Sequence, residues 1–552
     1  MEKELRDIVR SLFEIDCEIE LSNPDAQFGD VATNVAMQLA GKVRSNPRAI
    51  AEQIVEKLSE NEDIVEASIA GPGFINIRLS DGALLREVYA RPQKPYEGKV
   101  VVAEYSDPNP FKVLHAGHLY TTLVGDVMTR LLAVAGADVK RVNFGGDVGR
   151  HVAMNMWAIV KHLGGELPEN LKAVGDDPHE QAAWLSARYV EGNEAFENDE
   201  TAKKEITDLN QQIYQLHSDD DHNSPFAQIY WACREWSYSY FKVFYDELDV
   251  LPFDKYYPES QTAPIGIATV ERELESGVYE RSDGAVIFNG EKHGLHTRVF
   301  MNSNNLPTYE AKEVGLIMKK WQDYQFDESV IITGNDITEY MKVVQKSIEQ
   351  FDPELTKRSR HMTHGNVKLA GGKKMSSRKG TVLLAMDILK AASEAQAAVS
   401  GSEDRKVMLG AVKYAFLKTK VGGDIVYSPE ESVSLQGNSG PYLQYAHARA
   451  RQILKKSTHE FVMPTELFAE DRQLIRKLGQ YHAVVDNAVN ELAPHLICTY
   501  LFELAQEFNR YYEKNRVIGD QKESHRVCLV ALYADILQAG LTLLGIDAPS
   551  EM

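Results

Sequence analysis

The chain has 552 residues, 43% of them hydrophobic, and a formal net charge of −21, which allows several domains with sizeable cores. No apolar run approaches the ~20 residues of a membrane span, and Met1-Glu2-Lys3-Glu4 leads into an amphipathic stretch rather than a secretory leader. Cys17, Cys233, Cys498 and Cys528 are scattered without a Cys-x-x-Cys pair, which excludes the usual disulfide and zinc frameworks and fits a reducing cytoplasm.

Residues 1–95 read as a small α+β domain. Helical periodicity runs through Arg6–Phe13 and Val31–Leu39, and a strand is expected at Phe74–Arg78 after the turn-prone Gly71-Pro72-Gly73. Arg91-Pro92-Gln93-Lys94-Pro95 reads as a linker. Residues 96–430 then carry α/β signals. Val100–Ala103 is an apolar run of the kind buried in a parallel sheet, and a loop follows from Glu104 to Lys112. A helix opens near His115, with Leu119, Leu123, Val127 and Leu131 on one face, and ends at Gly136. Val139–Phe144 is the next expected strand, so a β-α-β unit holds its loop at the strand's carboxyl end, where open α/β sheets bind ligands. Further α/β signal lies at Ala285–Phe288, Ser329–Thr333 and Val382–Leu384. The segment between reads as an insertion near 155–285. It is strongly acidic, with 8 Lys/Arg against 21 Asp/Glu over residues 151–260. It is expected to keep away from any phosphate backbone, leaving local basic patches elsewhere. Residues 431–552, with 12 basic against 15 acidic groups, read as an all-α helical bundle, with one stripe at Tyr500, Leu504, Phe508 and Tyr512 and another over Val527–Leu544. The fold class is therefore a doubly wound, Rossmann-like α/β domain between an N-terminal α+β domain and a C-terminal bundle.

Two motifs carry the chemistry. His115-Ala116-Gly117-His118 places two imidazoles at a helix start, where unsatisfied N–H groups and positive potential favour phosphate. Gly117 leaves room for an adenine against the backbone. Lys374-Met375-Ser376-Ser377-Arg378, flanked by Gly371, Gly372 and Gly380, is a basic loop able to stabilise charge on departing pyrophosphate. Each alone has a plain alternative, a capped helix with surface histidines or a solvated basic loop. Together they suit attack of a carboxylate on the α-phosphate of ATP.

The two motifs resemble those of class I aminoacyl-tRNA synthetases, and the wider chain resembles the arginyl-tRNA synthetase family over essentially its whole length. The segments that carry this are Glu104-Tyr105-Ser106-Asp107-Pro108-Asn109, Asn143-Phe144-Gly145-Gly146-Asp147-Val148-Gly149, Pro441–Arg449, Leu544–Pro549, Phe28–Asn34 and Gly71–Asn76. The resemblance implies activation of arginine by ATP with Mg²⁺, no tightly bound metal, and transfer to the 3′-terminal adenosine of tRNA(Arg). It implies ATP contacts from His115, Gly117, His118, Met375, Ser376 and Ser377, with His115, His118, Lys112 and Lys374 as catalytic groups. Glu104, Asn109, Tyr309, Glu313 and Asn335 fall at arginine-pocket positions. A planar guanidinium suits carboxylate acceptors, and Tyr309 and Glu313, four apart, share a helix face.

For tRNA the resemblance points to Tyr512, Arg516, Tyr445 and Arg449 at the anticodon end, with Arg516 expected one turn beyond Tyr512, and to Phe28 and Asn34 in the N-terminal domain. Tyr512 reads equally well as core, and Tyr445, His447 and Arg449 as structural or tRNA-facing. A cytoplasmic monomer is implied. The chain departs from the family pattern at two places. Glu313 stands where the family usually has Asp, and Ser377 where it usually has a second lysine. Lys112 is the expected replacement cation, with Arg378 and Lys379 as further contributors. Alternative readings are another amino-acid specificity, a small-molecule nucleotidyltransferase, or an inactive tRNA-binding paralogue.

Overall fold

The structure is a computed structural model that describes residues 1–22, 24–25, 27–370, 383–457 and 466–552. Its centre is a five-stranded parallel sheet. The strands are β1 (Val100–Glu104), β2 (Asp138–Gly145), β3 (Lys255–Pro258), β4 (Glu328–Gly334) and β5 (Ser359–His364), in the spatial order β5-β4-β1-β2-β3. The order reverses beside β1, which makes the carboxyl end of β1 the switch point of a doubly wound sheet. The helix α1 (Ala116–Val134) follows β1. Leu119, Leu123, Val127 and Leu131 are buried as the periodicity predicts, but so are Val124, Met128 and Leu132. A helix apolar on all sides must be covered on all sides, and helices of the C-terminal region pack on its far face.

Between β2 and β3 the acidic segment folds as helices Arg150–His162, Pro178–Asn198, Glu200–Ser218 and Pro225–Leu248 around their own core. The sequence reading extended this insertion to about 285. The structure corrects that: Lys255–Pro258 is the edge strand of the main sheet, followed by α2 (Glu259–Glu275). Its polar start hid it, because an edge strand lacks the apolar run of a central one. Ala285–Phe288 is a strand, but in a separate three-stranded antiparallel sheet with Glu280–Ser282 and Arg298–Met301. The helix α3 (Tyr309–Tyr324) then leads into β4. Val382 is outside the described residues, and Leu384 forms only an isolated bridge.

The N-terminal region is a four-stranded antiparallel sheet of Leu21–Ser22, Val31–Thr33, Phe74–Leu79 and Ile64–Ala70, backed by helices. The helix expected over Val31–Leu39 is in fact a strand, Val31–Thr33, followed by a helix, Val35–Val43. Here β-sheet pairing with Phe74–Leu79 overrides local periodicity. Gly29 has φ +135°, and a Cβ there would lie 2.7 Å from the Ile77 carbonyl oxygen, so this corner of the sheet requires glycine.

The C-terminal helices Gly440–Lys456, Pro494–Lys514 and Glu523–Leu543 form the bundle. The last is long and apolar enough, by length and composition, to cross a membrane, and most of it is buried in the bundle. The segments Pro441–Arg449 and Leu544–Pro549 meet directly. Gln444 Nε2 donates to the Asp547 carbonyl at 2.9 Å, and His447 Nδ1 pairs with the Pro549 carbonyl at 2.8 Å. His447 is thereby structural.

Helix Arg472–Gly479 docks the N-terminal domain. Arg472 bonds Asp81 at 2.7 Å, Asp30 at 2.6 Å and the Leu79 carbonyl, while Arg476 holds the Gly29 and Pro24 carbonyls. Asp30 is buried. Arg472→Met strands that carboxylate, at a cost of about 3–5 kcal/mol. The expected result is faster hydrogen exchange across Val31–Thr33 and Phe74–Leu79 with α1 unchanged, which hydrogen–deuterium exchange mass spectrometry checks.

Candidate active site

The site grows from the loop between β1 and α1. Ser106, Asp107 and Phe111 all take positive φ, at +75°, +44° and +67°, a conformation that non-glycine residues adopt only when neighbours impose it. The neighbours are visible. Phe111 N donates to Ser237 Oγ at 2.9 Å, and its carbonyl accepts from Asn155 at 2.7 Å. Ser106 Oγ bonds Tyr245 OH at 2.9 Å and accepts from Thr122 at 2.8 Å. The insertion therefore sets the shape of this loop. Asp147 ties the arrangement to α2: it is buried, accepts from Ser260 N and Oγ, and pairs with Arg234 at 3.0 Å.

At the helix start His115 is the N-cap. Its Nδ1 accepts from Gly117 N at 3.0 Å, and its own N–H donates to His118 Nδ1 at 3.2 Å, a capping box built from imidazoles. With both Nδ1 atoms accepting, each neutral ring carries its proton on Nε2. Both rings are held neutral. Burial, then Lys112, pushes His115 down to about 4, and burial, then the neighbouring His115, pushes His118 well below the usual histidine value. They are thus hydrogen-bond donors rather than cations. A Cβ on Gly117 would meet His115 Cε1 at 2.8 Å, so this glycine keeps the His115 ring in place as well as leaving the backbone open.

A cavity of about 1590 Å³ opens beside this turn, larger than a typical single-ligand pocket of roughly 300–1,000 Å³. Asn109, Lys112, His115, His118, His151 and Tyr309 all line it. Asn109 also accepts from Gly146 N at 2.9 Å. His151, which sequence reasoning missed, donates to the Gly146 carbonyl at 2.8 Å and is pushed down to about 3 by burial and then Lys112. The insertion supplies the opposite wall. Despite its acidity that wall is mostly neutral, with Tyr189, Asn193, Phe196, Asn210, Gln211 and Tyr214 facing in.

Buried Glu104 and Glu313 and half-buried Asp107 form a set of carboxyls outside the cavity lining. Glu104 ends β1 and pairs with Lys320, a fully buried lysine that also reaches Ser329 Oγ at 3.2 Å. Glu313 lies one turn along α3 from Tyr309 and is buried, with Oε2 lacking any hydrogen-bond partner. Burial, then repulsion from Glu104, pushes it up to about 8. Asp107 is likewise held well above the carboxylate range by burial and Glu104, although its Oδ1 accepts from Phe144 N at 2.8 Å. A second buried pair, Lys312 with Glu259, adjoins Tyr309, whose ring lies 5.2 Å from the ammonium. Lys320 escaped the sequence reading because a lysine seven residues beyond Glu313 reads as a solvated helix charge. Asn335 is exposed at the end of β4 and is not part of the cavity lining.

The turn that carries the first motif is tied to Leu383, Leu384 and Ala385, which come after the second motif in the chain. Ala116 N donates to the Leu383 carbonyl at 2.9 Å, Ala385 N donates to the Leu114 carbonyl at 3.0 Å, and His115 pairs with Leu384. Lys374, Met375, Ser376 and Ser377 themselves lie outside the described residues.

Residues 81–428 match the family described as tRNA synthetases class I (R), catalytic domain. The chain belongs to the arginyl-tRNA synthetase family. Residues 1–79 match the arginyl tRNA synthetase N terminal domain, and residues 443–552 the DALR anticodon binding domain. Relatives named arginine–tRNA ligase include those of Bacteroides thetaiotaomicron, 28% identical, and Phocaeicola vulgatus, 29% identical. In each the alignment covers 97% of this chain and 96% of the relative. The fold is similar to the Thermus thermophilus arginyl-tRNA synthetase (TM-score 0.82, 24% identity, 100% of this chain and 99% of that one). It is also similar to the Plasmodium falciparum enzyme (TM-score 0.80, 18% identity, 100% and 98%).

In the segment that matches the anticodon binding domain, Tyr445 and Arg449 are exposed on one face of Gly440–Lys456. The Arg449 guanidinium lies 4.9 Å from the Tyr512 ring. Tyr500, Leu504 and Phe508 are buried, and half-buried Tyr512 is where their stripe emerges. Arg516 does not continue that face. The helix ends at Lys514, and Arg516 turns to donate to the Ile518 carbonyl at 2.8 Å, a correction to the expectation that it follows Tyr512 by one helical turn. Phe28 is exposed, and Asn34 donates to Glu20 at 3.2 Å.

Lys320→Met leaves Glu104 buried without a counter-charge, a loss of about 3–5 kcal/mol. A thermal melt is expected to move down, and Lys320→Met with Glu104→Gln to recover part of the loss.

Proposed function

We propose that the chain is an arginine–tRNA ligase that joins arginine to AMP with release of pyrophosphate and then esterifies the 3′-terminal adenosine of tRNA(Arg). The observation that carries the arginine reading is the surplus of carboxyls, with Glu104, Asp107 and Glu313 set around the single ammonium of Lys320. Glu313, pushed up to about 8 by burial and then Glu104, holds a proton at neutral pH, because closely spaced buried carboxylates repel one another. A guanidinium is the ligand that relieves it. Glu104 and Glu313 take the guanidinium, while Asn109 and Tyr309, in the cavity lining, take the amino acid's other end. Asn335 stays outside this proposal.

ATP lies along the turn at His115, Gly117 and His118. The Nε2–H groups of the two histidines donate to phosphate oxygens without adding a charge that burial would oppose. The arginine carboxylate attacks the α-phosphorus, and the bond to the pyrophosphate oxygen breaks in line. Lys112 and, from the second loop, Lys374 with Met375, Ser376 and Ser377 take the charge that develops on the leaving group. The protein forms no covalent intermediate, so positioning and electrostatics supply the rate enhancement. Mg²⁺ is proposed to come with the triphosphate. Tyr445, Arg449 and Tyr512 are proposed to meet the anticodon loop, with stacking on Tyr512 contributing about 1–3 kcal/mol. Phe28 and Asn34 are proposed to meet the tRNA elbow. Operation as a cytoplasmic monomer completes the reading.

ATP–pyrophosphate exchange measured with each amino acid, with and without total tRNA, tests it. Exchange with arginine alone, stronger with tRNA, is expected. Exchange with a different amino acid overturns the pocket, and tRNA binding without any exchange points to an inactive paralogue.

The pH dependence has a definite sign. Glu313 is protonated in the empty pocket below about pH 8, and the guanidinium favours its carboxylate form. Arginine binding therefore releases a proton below that pH. Affinity is expected to rise with pH towards about 8 and then level off, and Glu313→Gln to flatten the profile. Calorimetric titration of arginine between about pH 6 and pH 9 checks both.

A further inference from the structure

The family assignment leaves the acidic insertion without a part in the chemistry, and Lys112 without anything to hold it. Lys112 lies in the cavity wall next to the imidazole turn, and among the described residues it makes no ion pair and no hydrogen bond. Its one close partner there is an aromatic face: the ammonium sits 3.9 Å from the centroid of Tyr189. That is a close cation–π contact. Tyr189 belongs to helix Pro178–Asn198 of the insertion, on the opposite wall of the same cavity.

The helix that carries Tyr189 is itself fixed. The Leu185 carbonyl accepts from Asn155 at 3.1 Å, Trp184 packs edge-on against Trp236 at 6.2 Å, and Arg188 bonds both His162 at 2.8 Å and Glu191 at 2.7 Å. Gly192 faces the backbone of Met154 so closely that a Cβ would lie 2.0 Å from the Met154 carbonyl oxygen. A ring on such a helix gives a flexible lysine a fixed resting place. An acidic side chain at this position would neutralise the ammonium and compete with phosphate. An aromatic face holds the cation and leaves its charge available.

We propose that Tyr189 is a positioning residue: its ring face holds the Lys112 ammonium on the cavity wall, so that the charge is in place when pyrophosphate leaves. The inference rests on the reading of Lys112 as the cation that stands in for the lysine missing at Ser377. It also gives the insertion a role, since this acidic segment presents a mostly neutral wall with aromatic rings to the cavity. Because the lysine acts on charge that develops during the reaction, the effect belongs in kcat rather than in arginine binding.

A double-mutant cycle in arginine-dependent ATP–pyrophosphate exchange tests this on the full chain. Tyr189→Leu is expected to lower kcat roughly 3- to 30-fold, the range a cation–π contact supports, with the KM for arginine unchanged. Tyr189→Phe, which keeps the ring face, recovers most of that loss. In a Lys112→Met background Tyr189→Leu has no further effect. An equal loss from Tyr189→Leu with and without Lys112 overturns the proposal, since the tyrosine would then act on something else. A Tyr189→Phe variant as impaired as Tyr189→Leu overturns it too, because the hydroxyl rather than the face would matter. If Lys112→Met alone exchanges at the full rate, the premise about Lys112 falls and the inference with it, while arginine-dependent exchange itself still stands.

Discussion

Two backbone hydrogen bonds, from Ala116 to Leu383 and from Ala385 to Leu114, tie the imidazole turn to a segment far along the chain. Around them the rest of the structure is arranged. They fix the first turn of α1 against the start of helix Ala385–Ser400. The sheet places this joint at its switch point, and the bundle covers the helix from behind. A backbone contact suits that role because it does not depend on which side chains the loop carries.

The electrostatics of the site divide by depth. At the mouth the histidines are neutral donors, each with its proton fixed on Nε2 by the backbone bond to Nδ1. They can serve a polyanion without a buried positive charge that would need its own partner. Away from the cavity lining the sign is opposite: Glu104 pairs with Lys320, and burial and then Glu104 push Asp107 and Glu313 up. Glu313 reaches the hydroxyl of Tyr340, while its Oε2 has no hydrogen-bond partner.

The insertion's net charge does not describe each of its faces. Its acidity suggested a segment to be kept away from a phosphate backbone, and one face of it lines the cavity with mostly neutral residues, Glu197 being an acidic one among them. Ser237 and Tyr245 from its last helix hold the strained loop of β1, and Tyr189 from an earlier helix meets Lys112. A net charge counted over a segment cannot separate the faces of an amphipathic helix.

Much was determined by the sequence itself: the β1–loop–α1 unit, the helical C-terminal region, and the stripe at Tyr500, Leu504 and Phe508. These are local patterns, set by side-chain periodicity and by the residues a tight turn tolerates. Only the tertiary structure decided the rest. Edge strand β3 was hidden because it has no apolar run, and the strand Val31–Thr33 because pairing overrode its periodicity. The end of the helix at Lys514 turned Arg516 away from Tyr512. Lys320 looked like any surface lysine until the fold buried it beside Glu104. The physical reason is common to these cases: burial, edge position and charge pairing are set by what lies across the fold, and neighbours in space leave no mark in the spacing of neighbours in sequence.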